Sequence, residues 1–165
     1  MAEKSHRNRR RWPLAGAGIA AAVALGGLGW VYTGADDIQG ARADPHDPDQ
    51  VALGQNVYAK HCSACHGTDL EGQPNWRQRK PDGKLPAPPH DATGHTWHHP
   101  DAQLFAITKH GVKPPLAPEG YESDMRAFGD ALTDEEIWAA LAYIKSTWPR
   151  EIRERQAMIS RQAEQ

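Results

Sequence analysis

From Trp12 to Ala35 the chain runs 24 residues without a charged side chain, with Arg9-Arg10-Arg11 before the stretch and Asp36-Asp37 after it. At 1.5 Å rise per residue, about 20 apolar residues cross a hydrocarbon core of about 30 Å, so the pattern predicts a transmembrane helix. Basic residues before the span and acids after it predict a cytoplasmic N-terminus and an exported remainder. A cleaved signal peptide is the competing reading. Ala41-Arg42-Ala43 has the form of a cleavage site but lies well past the apolar run, and Thr33-Gly34-Ala35 is a weaker match. Residues 1–11 are thus read as a cytoplasmic basic segment and 12–35 as an anchor or signal segment. Residues 36–49 are acidic and carry Pro45 and Pro48, which predicts a flexible linker.

Beyond Pro48 the pattern becomes helical. Val51, Leu53, Val57 and Tyr58 recur at helical spacing as far as His61. Residues 67–100 are dense in Gly, Pro, His and Asp and read as loop. A short helix follows from Pro100 to Lys109, with Asp101 in its first turn, Leu104, Phe105 and Ile107 on its apolar face, and Gly111 as its stop. Residues 112–132 return to loop. The last helix predicted for the domain spans Thr133 to Trp148. It opens on a capping box, Thr133 with Glu136, carries Ile137, Trp138, Leu141, Ile144 and Lys145, and ends before Pro149. Residues 150–165 predict a charged, solvated helical tail. No strand and no repeat is legible. The expected body is a small all-α domain over 50–149, with two loops long enough to wrap around something.

Composition sharpens this picture. Only 39% of residues are apolar, which suggests that something besides side chains fills the core. The net charge of −2 hides a division. Residues 1–35 hold five basic side chains against Glu3 alone, net +4, while the rest holds 14 basic and 20 acidic, net −6. A mildly acidic body argues against nucleic acid, which rewards clustered Lys and Arg. Two cysteines three positions apart, Cys62 and Cys65, cannot build a disulfide scaffold.

Those cysteines carry the chemistry. Cys62-Ser63-Ala64-Cys65-His66 has the C-x-x-C-H form of a c-type haem attachment site. Two thiols one helical turn apart can add to two vinyl groups of one porphyrin, and the adjacent imidazole then points at the iron. A zinc site would need further ligands, and a thioredoxin-like pair would need a βαβ context that this pattern lacks. Covalent haem is attached outside the cytoplasm, which agrees with export.

Gly54, Tyr58, Cys62, Cys65-His66 and the terminal Ala142-Tyr143-Ile144-Lys145 together resemble a class I c-type cytochrome over about residues 50–149. The resemblance implies about three to five helices wrapped around one covalent haem c, with the first helix crossing the last where Gly54 permits it and Tyr58 and Tyr143 sealing the contact. It implies His66 and Met125 as the axial ligands of the iron, Met125 lying in the loop before the last helix. That family usually carries Met-Pro there; this chain has Met125-Arg126, which loosens the loop and leaves His98 or His99 as rival ligands. Pro74 is the expected carbonyl partner of His66. Trp97 is expected at the haem edge, its indole N–H and a neighbouring histidine on a propionate. Metal binding by His95, His98 and His99 lacks a carboxylate or thiol framework. Arg77, Arg79, Lys80 and Lys84 form a basic run, either a solvated face or a docking patch for a redox partner.

The implied role is a one-electron carrier held at the bacterial cytoplasmic membrane with its haem domain in the periplasm, or soluble there after cleavage. Its expected partners are a quinol-oxidising complex or dehydrogenase and a terminal oxidase, with no small-molecule substrate. A fixed haem subunit of a larger membrane oxidoreductase is the alternative. A haem sensor or enzyme with a labile sixth ligand is a more distant one.

Overall fold

The computed structural model of the protein describes residues 43–165. The basic segment, the uncharged span and the first half of the linker (36–42) lie outside the described residues. Among the described residues no helix is long and apolar enough to cross a membrane. They form helices α1 (Pro48–His61), α2 (Ser63–His66), α3 (Asp101–His110), α4 (Asp134–Ser146) and α5 (Arg150–Ala163), with a 3-10 turn at Thr96–His98 and no strand.

Helices α1 and α4 start where the sequence supplies a side-chain cap. The Asp47 carboxylate accepts from the amides of Asp49 (3.0 Å) and Gln50 (3.2 Å) at the head of α1, with Pro48 in the first turn. At α4 the capping box is complete: Glu136 N–H donates to Thr133 Oγ1 (3.2 Å) and Thr133 N–H to the Glu136 carboxylate (2.8 Å). Helices α1 and α4 cross in close contact because the crossing point has almost no side chain. Gly54 faces Ala139, flanked by Ala140 and Ala142, and a Cβ built on Gly54 would collide with the Ala139 carbonyl. Tyr58 and Tyr143 seal one side of the crossing, with ring centroids 5.5 Å apart.

Two apolar clusters flank the crossing. One gathers Val57, Leu104, Phe128, Leu132, Ile137, Leu141 and neighbours, with Met125, Phe105 and Trp138 packed on it. The other gathers Tyr58, Leu70, Ile144 and Trp148, with Cys62, Trp97 and Ile152 at its border.

The tail is helical, as α5, but it is not merely solvated. Pro149 ends the preceding segment and also opens α5, since its fixed φ suits the start of a helix. Gln156 is fully buried, and its amide N–H groups reach Asp101 (2.6 Å), Ser160 Oγ (3.0 Å) and the His99 carbonyl (3.2 Å). The polar residues that made the tail look solvated are the ones that dock it.

Candidate functional site

Cys62 caps α2, and the short helix carries the motif through one turn, His66 N–H donating to the Cys62 carbonyl at 3.0 Å. Cys62 and Cys65 are free thiols, the first half-buried and the second exposed. Burial, with the neighbouring Cys65, pushes the Cys62 thiol up to about 11. His66 is buried, and loss of water lowers its imidazole from the usual range, against the opposing effect of its backbone hydrogen bond. The neutral imidazole that results is the form a metal requires.

That hydrogen bond corrects the expectation for Pro74. His66 Nδ1 lies 2.8 Å from the carbonyl oxygen of Pro88, 22 residues further along, whereas Pro74 is exposed. The reason lies in how the first long loop folds. Segment 70–73 runs beside 87–90, with Gln73 N–H donating to the Ala87 carbonyl and His90 N–H to the Leu70 carbonyl, both at 2.8 Å. Residues 74–86 are thereby excluded as a surface excursion. The pairing needs Gly72: its φ is +68°, and a Cβ there would strike Pro88 and Pro89. A sequence signal was available in Pro86-Ala87-Pro88-Pro89, a stiff run suited to presenting a fixed carbonyl.

Behind His66 lies His90, its ring stacked at 3.9 Å and 24°. His90 Nδ1 is 2.8 Å from Thr96 Oγ1, and burial pushes this imidazole well below its ordinary range, helped by His66 and His95. The His90 carbonyl accepts the indole N–H of Trp148 at 2.7 Å. A chain of contacts thus runs from Trp148 at the end of α4 to the imidazole that would hold a metal. Trp148→Phe is expected to lower stability by about 2 kcal/mol, because a carbonyl beside the buried indole loses its donor. Guanidinium unfolding of the holoprotein measures this, and a loss under 0.5 kcal/mol would contradict it.

Trp97 donates its indole N–H to the Ala92 carbonyl within its own loop (3.3 Å). The ring borders the Cys62 cluster, stacks on His98 at 3.7 Å and lies under the Arg155 guanidinium at 5.0 Å. His95 stacks on Trp76 and meets His99 edge-on. Among the described residues no group of His, Cys, Asp or Glu is arranged to hold a metal ion.

Met125 packs, half-buried, on the other cluster, with its N–H donating to Ser123 Oγ at 3.1 Å. The basic run stays at the surface but pairs with its own neighbours. Lys80 and Lys84 each place Nζ 2.6 Å from an oxygen of Asp124, and Arg79 and Arg77 lie over Tyr121 and Trp76. The two ammonium groups hold the Asp124 carboxyl down to about 2. Sequence reading missed Pro88, His90 and Asp124.

The donor set fits a c-type haem. Two unpaired thiols stand one turn apart, and the adjacent imidazole has Nδ1 occupied by Pro88 and Nε2 left for iron. A family model described as cytochrome c matches residues 51–148. The FixP subunit of a cbb3-type cytochrome c oxidase from Sinorhizobium medicae is 27% identical over 96 residues, covering 58% of this chain and 29% of that protein. The chain therefore spans under a third of the curated relative it matches. No solved structure matches it.

Proposed function

The chain belongs to the cytochrome c family, an electron-transfer protein carrying covalent haem c, and from that premise we propose a one-electron carrier with His66 and Met125 as axial ligands, working beside membrane respiratory enzymes. The observation that carries this reading is the pinned imidazole: Cys62 and Cys65 in one turn, and His66 Nδ1 at 2.8 Å from Pro88 O. The bound group supplies an iron that exchanges single electrons. The polypeptide's share is orientation and tuning. Pro88 holds the His66 ring in one tautomer, and His90 supports its face. Met125 brings a soft thioether, which favours ferrous iron and raises the potential. With His66 and Met125 both holding the iron, it would have no position left for a substrate.

Residues 12–35 serve as the anchor in this reading, with the haem domain on the periplasmic side. A tether raises the effective concentration of the haem near its partners, a quinol-oxidising complex or dehydrogenase on one side and a terminal oxidase on the other. The similarity to an oxidase subunit supports a second reading, a fixed haem subunit of such a complex. Purification from membranes separates the two: a stable multi-subunit complex favours the second, and a lone anchored protein the first.

Ligation has a direct test. The ferric protein is expected to show the weak near-infrared band of an iron–thioether bond. Met125→Ala is expected to abolish that band, lower the reduction potential and let carbon monoxide bind the ferrous form readily. A wild-type protein without the band, or a Met125→Ala variant that keeps it, would overturn His/Met ligation.

A further inference from the structure

The segment around Met125 has little main-chain support. Among the described residues, the main chain of 122–127 makes no hydrogen bond to another main-chain group. Met125 is followed by Arg126, so no proline stiffens the chain directly after it. The support comes instead from side chains of the surface excursion. Its turn is closed by Lys80 N–H on the Lys84 carbonyl (2.8 Å), Gly83 N–H on the Lys80 carbonyl (2.9 Å) and Lys84 N–H on Asp82 Oδ1 (3.0 Å). From this turn the two ammonium groups take one oxygen each of Asp124, residues 44 and 40 positions away in the chain. Arg79 adds a second contact to the same segment, its guanidinium 5.6 Å from the Tyr121 ring.

We propose that Lys80 and Lys84, gripping Asp124, form an ionic latch that positions the Met125 loop, whose own main chain is unsupported. The proposal rests on Met125 as the sixth ligand. Lys80 and Lys84 are positioning residues: they touch neither iron nor porphyrin in this role, and act through Asp124 on its neighbour. The latch is built to be weak. Its side chains are 37%, 28% and 54% exposed, so each pair is modest and open to salt. At about 1 M salt the screening length falls to about 3 Å, and the latch is largely neutralised. Opening the loop releases the sulfur, and an added ligand can then enter.

The test uses the ferric holoprotein and imidazole as the entering ligand. The near-infrared band is recorded first, and then the rate of imidazole binding at low and high salt. Lys80→Gln with Lys84→Gln is expected to bind imidazole about two- to fivefold faster than wild type at low salt, with little further response to salt. The wild type is expected to approach that rate as salt rises. Lys80→Arg with Lys84→Arg is expected to stay near wild type, since the charge is kept. A wild-type protein without the band would overturn the ligand reading and the latch together. A wild-type protein with the band, but with the Gln pair exchanging at the wild-type rate or the Arg pair matching the Gln pair, would overturn the latch alone.

Discussion

Lys145→Met is expected to destabilise the folded haem domain by about 3–5 kcal/mol, because it strips the partner from a buried carboxylate. Lys145 on α4 is 6% exposed and Asp101 at the start of α3 is 8% exposed. The ammonium lies 3.1 and 2.8 Å from the two carboxylate oxygens. Asp101 keeps some help without it: the Gln156 amide at 2.6 Å and the favourable N-terminal end of α3. These place the loss toward the lower end of the range. The cause is checked by the double variant Lys145→Met with Asp101→Leu, which removes both charges and should recover much of the loss. Guanidinium unfolding of the ferric holoprotein reads both. A double variant no better than the single would assign the loss to packing rather than to the orphaned charge.

Gly54→Ala is expected to cost about 3 kcal/mol, at the upper end of the usual range for overpacking. The added methyl would strike the Ala139 carbonyl and lie 2.9 Å from Tyr143 Cβ. A flexible side chain could swing aside, but the obstacle is helix backbone, so α1 and α4 must separate. That separation loosens Val57 and Tyr58 on one helix and Leu141 and Ile144 on the other. The same unfolding measurement tests it, and a change within 0.5 kcal/mol would mean that the crossing is looser than it looks.

Both substitutions act at places the sequence shows unequally. Gly54 was legible through the family resemblance, which implies a helix crossing where a glycine allows close approach. Lys145 was not. In a helix with a clear apolar stripe, a lysine reads as an exposed flank, and nothing in its neighbours announces Asp101, 44 positions earlier. Gln156 and Ser160 misled in the same way. Their composition indicated solvent, whereas their side chains complete a buried polar network that docks α5.

The haem edge shows the same division. Cys62, Cys65 and His66 act within one turn of helix, so their geometry follows from spacing alone. The carbonyl that orients His66 belongs to a loop, and which proline supplies it depends on where that loop closes. Gly72 closes it against Pro88 and Pro89, throwing Pro74 to the surface.

By itself the sequence determined whatever rests on neighbours within about a turn: the helix caps, the all-α pattern and the haem attachment motif. Only the tertiary structure decided the partners that meet across loops: Pro88 for His66, Asp101 for Lys145 and Gln156, and Asp124 for Lys80 and Lys84. The physical reason is chain connectivity. Helical spacing brings residues together automatically, whereas a contact across tens of residues depends on which loop closure the whole packed body permits.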